Sequence, residues 1–142
     1  LEAVDSRLVD FEATGNGQAA INCARCVVDR ATVHDNAGVG MFDGYGSVVT
    51  ASVFSRNSVG IWSTNGGTRV IDTQFVANSG VGFFAQPAVP PDTPSGETLV
   101  STLSGNSFIE NNGGNANSQI GGSGGLWVQL GPNLCGRSIT CP

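Results

Sequence analysis

Three stretches decide the fold: NAGVGMF at 36–42, NSVGIW at 57–62 and NSGVGFF at 78–84. Their leading residues Asn36, Asn57 and Asn78 stand 21 apart, and each follows an apolar residue, Val33, Phe54 or Phe75, by three positions. A fourth copy, Phe108 with Asn111, comes 33 residues on, one period plus twelve. The excess has a home at 86–98, QPAVPPDTPSGET, because prolines cannot continue strand pairing and force an excursion. A second excursion is expected at 113–125, GGNANSQIGGSGG, after which Leu126 and Trp127 replay the Gly-Met-Phe, Gly-Ile-Trp and Gly-Phe-Phe steps. Upstream, Asp5-Ser6-Arg7-Leu8 resembles Asp72-Thr73-Gln74-Phe75, and the register between Leu8 and Ile21 is loose.

A unit of short alternating segments cannot bury an apolar face alone, whereas stacked copies can. No segment has a 3.6-residue period, which excludes helix except as a cap. Stacking sets each position about 4.8 Å from its image one repeat away. Val33, Phe54, Phe75 and Phe108 then form one interior file, and Met41, Ile61, Phe83 and Leu126 another. Asn36, Asn57, Asn78 and Asn111 form a structural ladder, since an amide carries both donors and an acceptor and bonds its own image.

The composition agrees. With 142 residues and 39% of them hydrophobic, the chain suits one domain over 1–142, and glycine is frequent at 21. Lysine is absent, only 12% of residues are charged, and the net charge is −5. A phosphate binder that releases counterions needs the opposite balance, so nucleic acid is excluded as a partner. No apolar run approaches the roughly twenty residues of a membrane span. The chain opens at Leu1 without Met, which reads as a removed signal or a segment of a longer protein.

The pattern N-x-x-x-G-apolar-aromatic at about 21 residues resembles the right-handed parallel β-helix repeat of the pectin-lyase-like superfamily, over residues 3 to 130. The resemblance implies an all-β, single-stranded right-handed solenoid, here of about five to six coils. It leaves function open between polysaccharide lyases and hydrolases, sugar-binding domains and adhesins. In such a stack Cys23 and the pair Cys135 and Cys141 lie too far apart to cross-link. Cys135 and Cys141 are expected to close a small disulfide loop, as suits an exported protein. Cys23 and Cys26 form a CxxC that reads as buried cysteines, a local disulfide or, less fittingly among strands, a redox motif.

Chemistry on polysaccharides needs clustered carboxylates with a base. The column before the corner Asn reads Asp10, Asp35, Arg56, Ala77 and Glu110, with His34 beside it. Asp35, His34 and Arg56 are the candidate catalytic set, and a surface ion pair is the simpler account. A thinner column runs Asp5, Arg30, Ala51, Asp72, and Asp92 and Glu97 ride the proline-rich loop. There is no calcium-loop motif, and no metal or cofactor is expected. Strand alternation turns Phe42, Trp62, Phe84 and Trp127 outward as an aromatic stripe. Such a stripe fits the C–H faces of sugar rings, a loop-covered minor core, or contact with a partner.

The expected function is therefore a non-catalytic carbohydrate-binding or surface structural module of a bacterium, secreted, periplasmic or on the cell surface. A polysaccharide lyase or glycoside hydrolase is one alternative and an assembly or adhesion segment another. The expected partner is a polysaccharide or other glycan. The first coil, whose strand edge is open, is expected to be covered by a partner chain or by upstream residues.

Overall fold

The computed structural model describes residues 1–86, 99–122, 127–136 and 141. The described residues form a parallel β-helix of three six-stranded parallel sheets, and each turn of the chain adds one strand to every sheet. The first sheet stacks Glu2–Val4, Ile21–Ala24, Met41–Asp43, Ile61–Ser63, Phe83–Ala85 and Ile120–Gly122. The second stacks Arg7–Val9, Val27–Asp29, Val48–Thr50, Arg69–Ile71, Ser101–Ser104 and Trp127–Gln129. The third stacks Glu12–Thr14, Thr32–His34, Val53–Ser55, Gln74–Val76, Ser107–Ile109 and Leu134–Cys135. Six coils result.

Each sheet sends one file of side chains into the core. The files are Ile21, Met41, Ile61, Phe83 and Ile120; Val28, Val49, Val70 and Leu103; and Val33, Phe54, Phe75, Phe108 and Cys135, all buried. The aromatic file is stacked face to face, with centroids 5.7 Å apart for Phe54 and Phe75 and 4.7 Å for Phe75 and Phe108. That closeness dictates the glycines beside it: a Cβ on Gly82 would lie 2.7 Å from both Phe75 Cβ and Phe108 Cδ1.

The three corners obey different rules. Between the second and third sheets, two residues intervene in each of the first five coils, and the first of them has positive φ: Asp10, Arg30, Ala51, Asp72 and Gly105. The corner from third sheet to first also opens with a left-handed residue: Gly15, Asp35, Arg56, Ala77 and Glu110. Over the first five coils the corner from first to second lengthens, from two intervening residues in the first two coils to four, five and fifteen. Inside it the second, third and fourth coils each carry a different cross-link. Cys23 and Cys26 form a disulfide, Ser47 Oγ donates to Asp43 Oδ1 at 2.7 Å, and Ser63 and Thr68 share a hydroxyl hydrogen bond of 2.6 Å. Asp43 is wholly buried, and the Tyr45 and Ser47 amides and the Thr68 hydroxyl complete its shell, the condition for keeping a carboxylate out of water.

The asparagine ladder runs through Asn36, Asn57, Asn78 and Asn111, each Oδ1 accepting the backbone N–H and the side-chain amide of the coil before. It has two ends that the 21-residue spacing does not show. Asn16 starts it, and Gln119 finishes it by accepting from Asn111 and donating to the Asn111, Gly114 and Asn117 carbonyls.

Several expectations are corrected. The stretch 113–125 is not one excursion: Ile120 pairs with Phe83 and Gly121 with Phe84, so the first-sheet file continues at Ile120. Trp127 lies instead in the second sheet opposite Ser101 and packs against the core, and Leu126 lies outside the described residues. The misreading has a physical source: a Cβ on Gly121 would sit 2.9 Å from the Phe84 ring and push it aside, and the glycine that spares it makes this rung resemble a loop. The first coils repeat at 20 residues, with Glu12 opposite Thr32 and Arg7 opposite Val27. Gly15, not Asp10, therefore precedes Asp35, and Asp10 heads the column of Arg30 while Asp5 pairs with Arg25. Of the expected loop at 86–98, only Gln86 is described.

The two ends of the stack differ. Trp127 and the Cys135–Cys141 disulfide close the upper end. At the lower end the inward residues Ala3, Leu8, Phe11 and Ala13 are only partly buried, and Leu1 and Val4 are 59% and 58% exposed.

Candidate functional site

Two groupings on the outer surface carry chemistry. The first is a chain of charges across three coils at the end of the third sheet. Arg56 donates through Nε and Nη2 to both oxygens of Asp35 at 2.6 Å, His34 Nδ1 lies 2.6 Å from Asp35 Oδ2, and His34 Nε2 lies 2.7 Å from Glu12 Oε1. Asp35 and Arg56 meet because both occupy the left-handed corner position in successive coils, which projects their side chains outward one above the other. Asp5 with Arg25 and Asp10 with Arg30 repeat the arrangement. The Arg56 fork holds the Asp35 carboxyl well below the usual range, and His34 adds to this. Asp35 and then Glu12 raise the pKa of the imidazole between them.

The structure thus assembles all three candidate catalytic residues, and it also occupies them. With a carboxylate at each ring nitrogen, His34 is set up as a doubly protonated donor and offers no free lone pair, which a general base requires. Glu12 is the member sequence reading missed; its signal was the 20-residue step that brings it diagonally under His34. Beside Arg56 runs an open hollow of about 360 Å³, floored by Ala37, Ser58, Ala77 and Ser79.

The second grouping is on the outer face of the first sheet. Phe42, Trp62 and Phe84 are paired in register on three successive coils. Their rings touch in sequence, at 6.2 Å and tilted for Phe42 and Trp62, and at 5.3 Å and edge-on for Trp62 and Phe84. All three are half-buried, and the Trp62 indole N–H donates to Gln86 Oε1 at 3.0 Å. The stripe has three members, because Gly121 takes the fourth rung and Trp127 faces the core.

No protein-family model and no curated protein matches the chain. Among solved structures it is similar to the periplasmic alginate epimerase AlgG, with a TM-score of 0.73 at 14% identity over 92% of this chain. The chain is a right-handed parallel β-helix. It spans about a third, 34%, of the epimerase's length. At that identity the likeness concerns the fold, and the β-helix owes the site described above to its own residues. Among the described residues no group of three or more His, Cys, Asp or Glu is arranged to hold a metal, and no helix is long and apolar enough to cross a membrane.

Proposed function

We propose that this β-helix is a non-catalytic glycan-binding module of an exported protein, with the ligand lying along the outer face of the first sheet. The observation that carries the reading is the contiguous stripe of Phe42, Trp62 and Phe84, half-exposed on successive coils. Aromatic rings present flat apolar faces to the C–H faces of pyranoses, and the coil spacing of about 4.8 Å is close to the advance per residue of an extended β-linked glycan. Three further observations support it. The charge chain around His34 is self-satisfied, which weighs against the lyase or hydrolase alternative. Two disulfides suit an oxidising compartment outside the cytoplasm. The structurally similar epimerase is named for a periplasmic location and for alginate.

The test uses Trp127→Phe as background, so that Trp62 is the sole tryptophan. Titration with neutral β-linked polysaccharides should shift its fluorescence, and Trp62→Ala should abolish retardation in affinity gels while leaving the fold intact. If Trp62→Ala instead unfolds the protein and no polysaccharide moves the signal, the stripe is a minor core and the proposal fails. The assembly reading rests on the partly exposed lower coil, and sedimentation at rising concentration tests it.

A further inference from the structure

The aromatic stripe does not end at Phe42; its file continues downward with different chemistry. Asn22 stands in register beneath Phe42, and Glu2 beneath Asn22. Beside these two residues opens a recess of about 300 Å³, lined further by Val4, Ala24, Gly44 and Tyr45. The outer face of the first sheet is therefore one axial track, polar over the first two coils and aromatic over the next three.

Gly44 lines the recess without a side chain, and the fold does not demand a glycine there. Gly44 does not have the positive φ that favours glycine, and a Cβ would meet only the Cys23 carbonyl oxygen at 3.6 Å and the Ala24 Cβ at 3.8 Å, ordinary contacts. The contrast is with Gly82 and Gly121, where a Cβ would press against a phenylalanine side chain. Nor are the polar groups committed elsewhere. The corner acids Asp5, Asp10 and Asp35 are each gripped by an arginine, whereas the Glu2 carboxylate and the Asn22 amide have no hydrogen-bond partner among the described residues. A carboxylate one rung below an amide presents acceptors and donors about 4.8 Å apart, suited to the hydroxyls of adjoining sugar residues. No arginine lines the recess, and an unpaired carboxylate repels a uronate or sulfate.

We infer that this recess is a polar subsite for neutral hexopyranose residues at one end of a linear glycan whose other residues lie on Phe42, Trp62 and Phe84. The inference rests on the glycan-binding reading of the stripe and adds to it a length requirement and a charge preference. At one sugar per coil, three residues lie on the aromatic part and two more on Asn22 and Glu2.

The experiment titrates the Trp127→Phe protein with β-1,4-linked manno-oligosaccharides of three and five residues and, as acidic counterpart, a β-1,4-linked mannuronate pentamer. The neutral pentamer should bind about tenfold more tightly than the trimer. Gly44→Val, which fills the recess, and the pair Glu2→Ala with Asn22→Ala should remove that gain while leaving trimer affinity unchanged. Glu2→Gln should raise affinity for the mannuronate pentamer relative to the neutral one. If trimer and pentamer bind equally to the parent, or if Gly44→Val keeps the gain, the subsite is refuted and the stripe reading stands. If no oligomer binds, both fall.

Discussion

Replacing Asn57 by alanine probes the ladder at an interior rung, with an amide above it and one below. Asn57 is 2% exposed; its Oδ1 accepts from the Asn36 backbone N–H at 3.3 Å and from Asn36 Nδ2 at 2.8 Å, and its Nδ2 donates to the Val33 carbonyl at 3.0 Å and to Asn78 Oδ1 at 3.2 Å. Truncation leaves partners for some of these groups: Asn36 Nδ2 keeps the Ala13 carbonyl, and Asn78 Oδ1 keeps the Asn57 backbone N–H. The buried Asn36 N–H is left without its acceptor, a loss of about 1–3 kcal/mol, and each weakened bond adds about 0.5–1.5 kcal/mol less what relaxation recovers. We expect a loss of about 2–4 kcal/mol in urea unfolding at unchanged m-value. Gln74→Ala, on the exposed outer face of the third sheet, is the control. Because the ladder members share partners, Asn57→Ala with Asn78→Ala should cost less than the sum of the two alone. If Asn57→Ala falls within about 0.5 kcal/mol of the control, the amides are not a cooperative ladder and the reasoning is wrong.

The remaining expectations concern charge and packing. His34, held between Asp35 and Glu12, has its folded pKa raised, so its contribution to stability is fully present below the unfolded value and is lost as pH rises through the folded one. An NMR titration should place its midpoint above 6.5, and exchange of first-coil amides should quicken beyond that midpoint more than in His34→Gln; a midpoint at or below 6.5 would contradict the geometry. Gly82→Ala sets a methyl 2.7 Å from Phe75 and Phe108 and should destabilise by about 1–3 kcal/mol, while Gly44→Ala, with only ordinary contacts, should change stability by less than about 0.5 kcal/mol; equal effects in thermal melts would count against the packing argument.

The parts of the fold legible in the sequence are those where every rung carries a distinctive side chain. Phe54, Phe75 and Phe108 announce their file because the site between coils accepts an aromatic ring, and Asn36, Asn57 and Asn78 announce theirs because only an amide satisfies both neighbours. Legibility fails where the physics removes the marker. The first coil points small or weakly buried residues inward, Ala3 and Ala13 among them, so nothing in its pattern distinguishes a period of 20 from 21. At Gly121 the neighbouring Phe84 ring fills the rung, and at Gln119 a longer amide reaches back across the 113–118 loop to Asn111. The candidate site divides the same way: Phe42, Trp62 and Phe84 follow from alternation, whereas Trp127 needed the true coil boundary, and the Glu12 contact of His34 needed the 20-residue step.

The unequal corners bear on how such a chain tolerates insertions and deletions. Two residues, the first left-handed, join the second sheet to the third in each of the first five coils, so one residue more or fewer there would rotate every later strand by one position and turn core side chains to solvent. The corner from first sheet to second already accepts two, four, five or fifteen residues beneath an unchanged register. Length variation is thus channelled to the two edges that border the aromatic face, chiefly this one, since the corner from third sheet to first also takes five, six or ten residues. Related chains can diversify the wall of that face by indels while inheriting the same stack, and an insertion scan should find its permissive positions concentrated there.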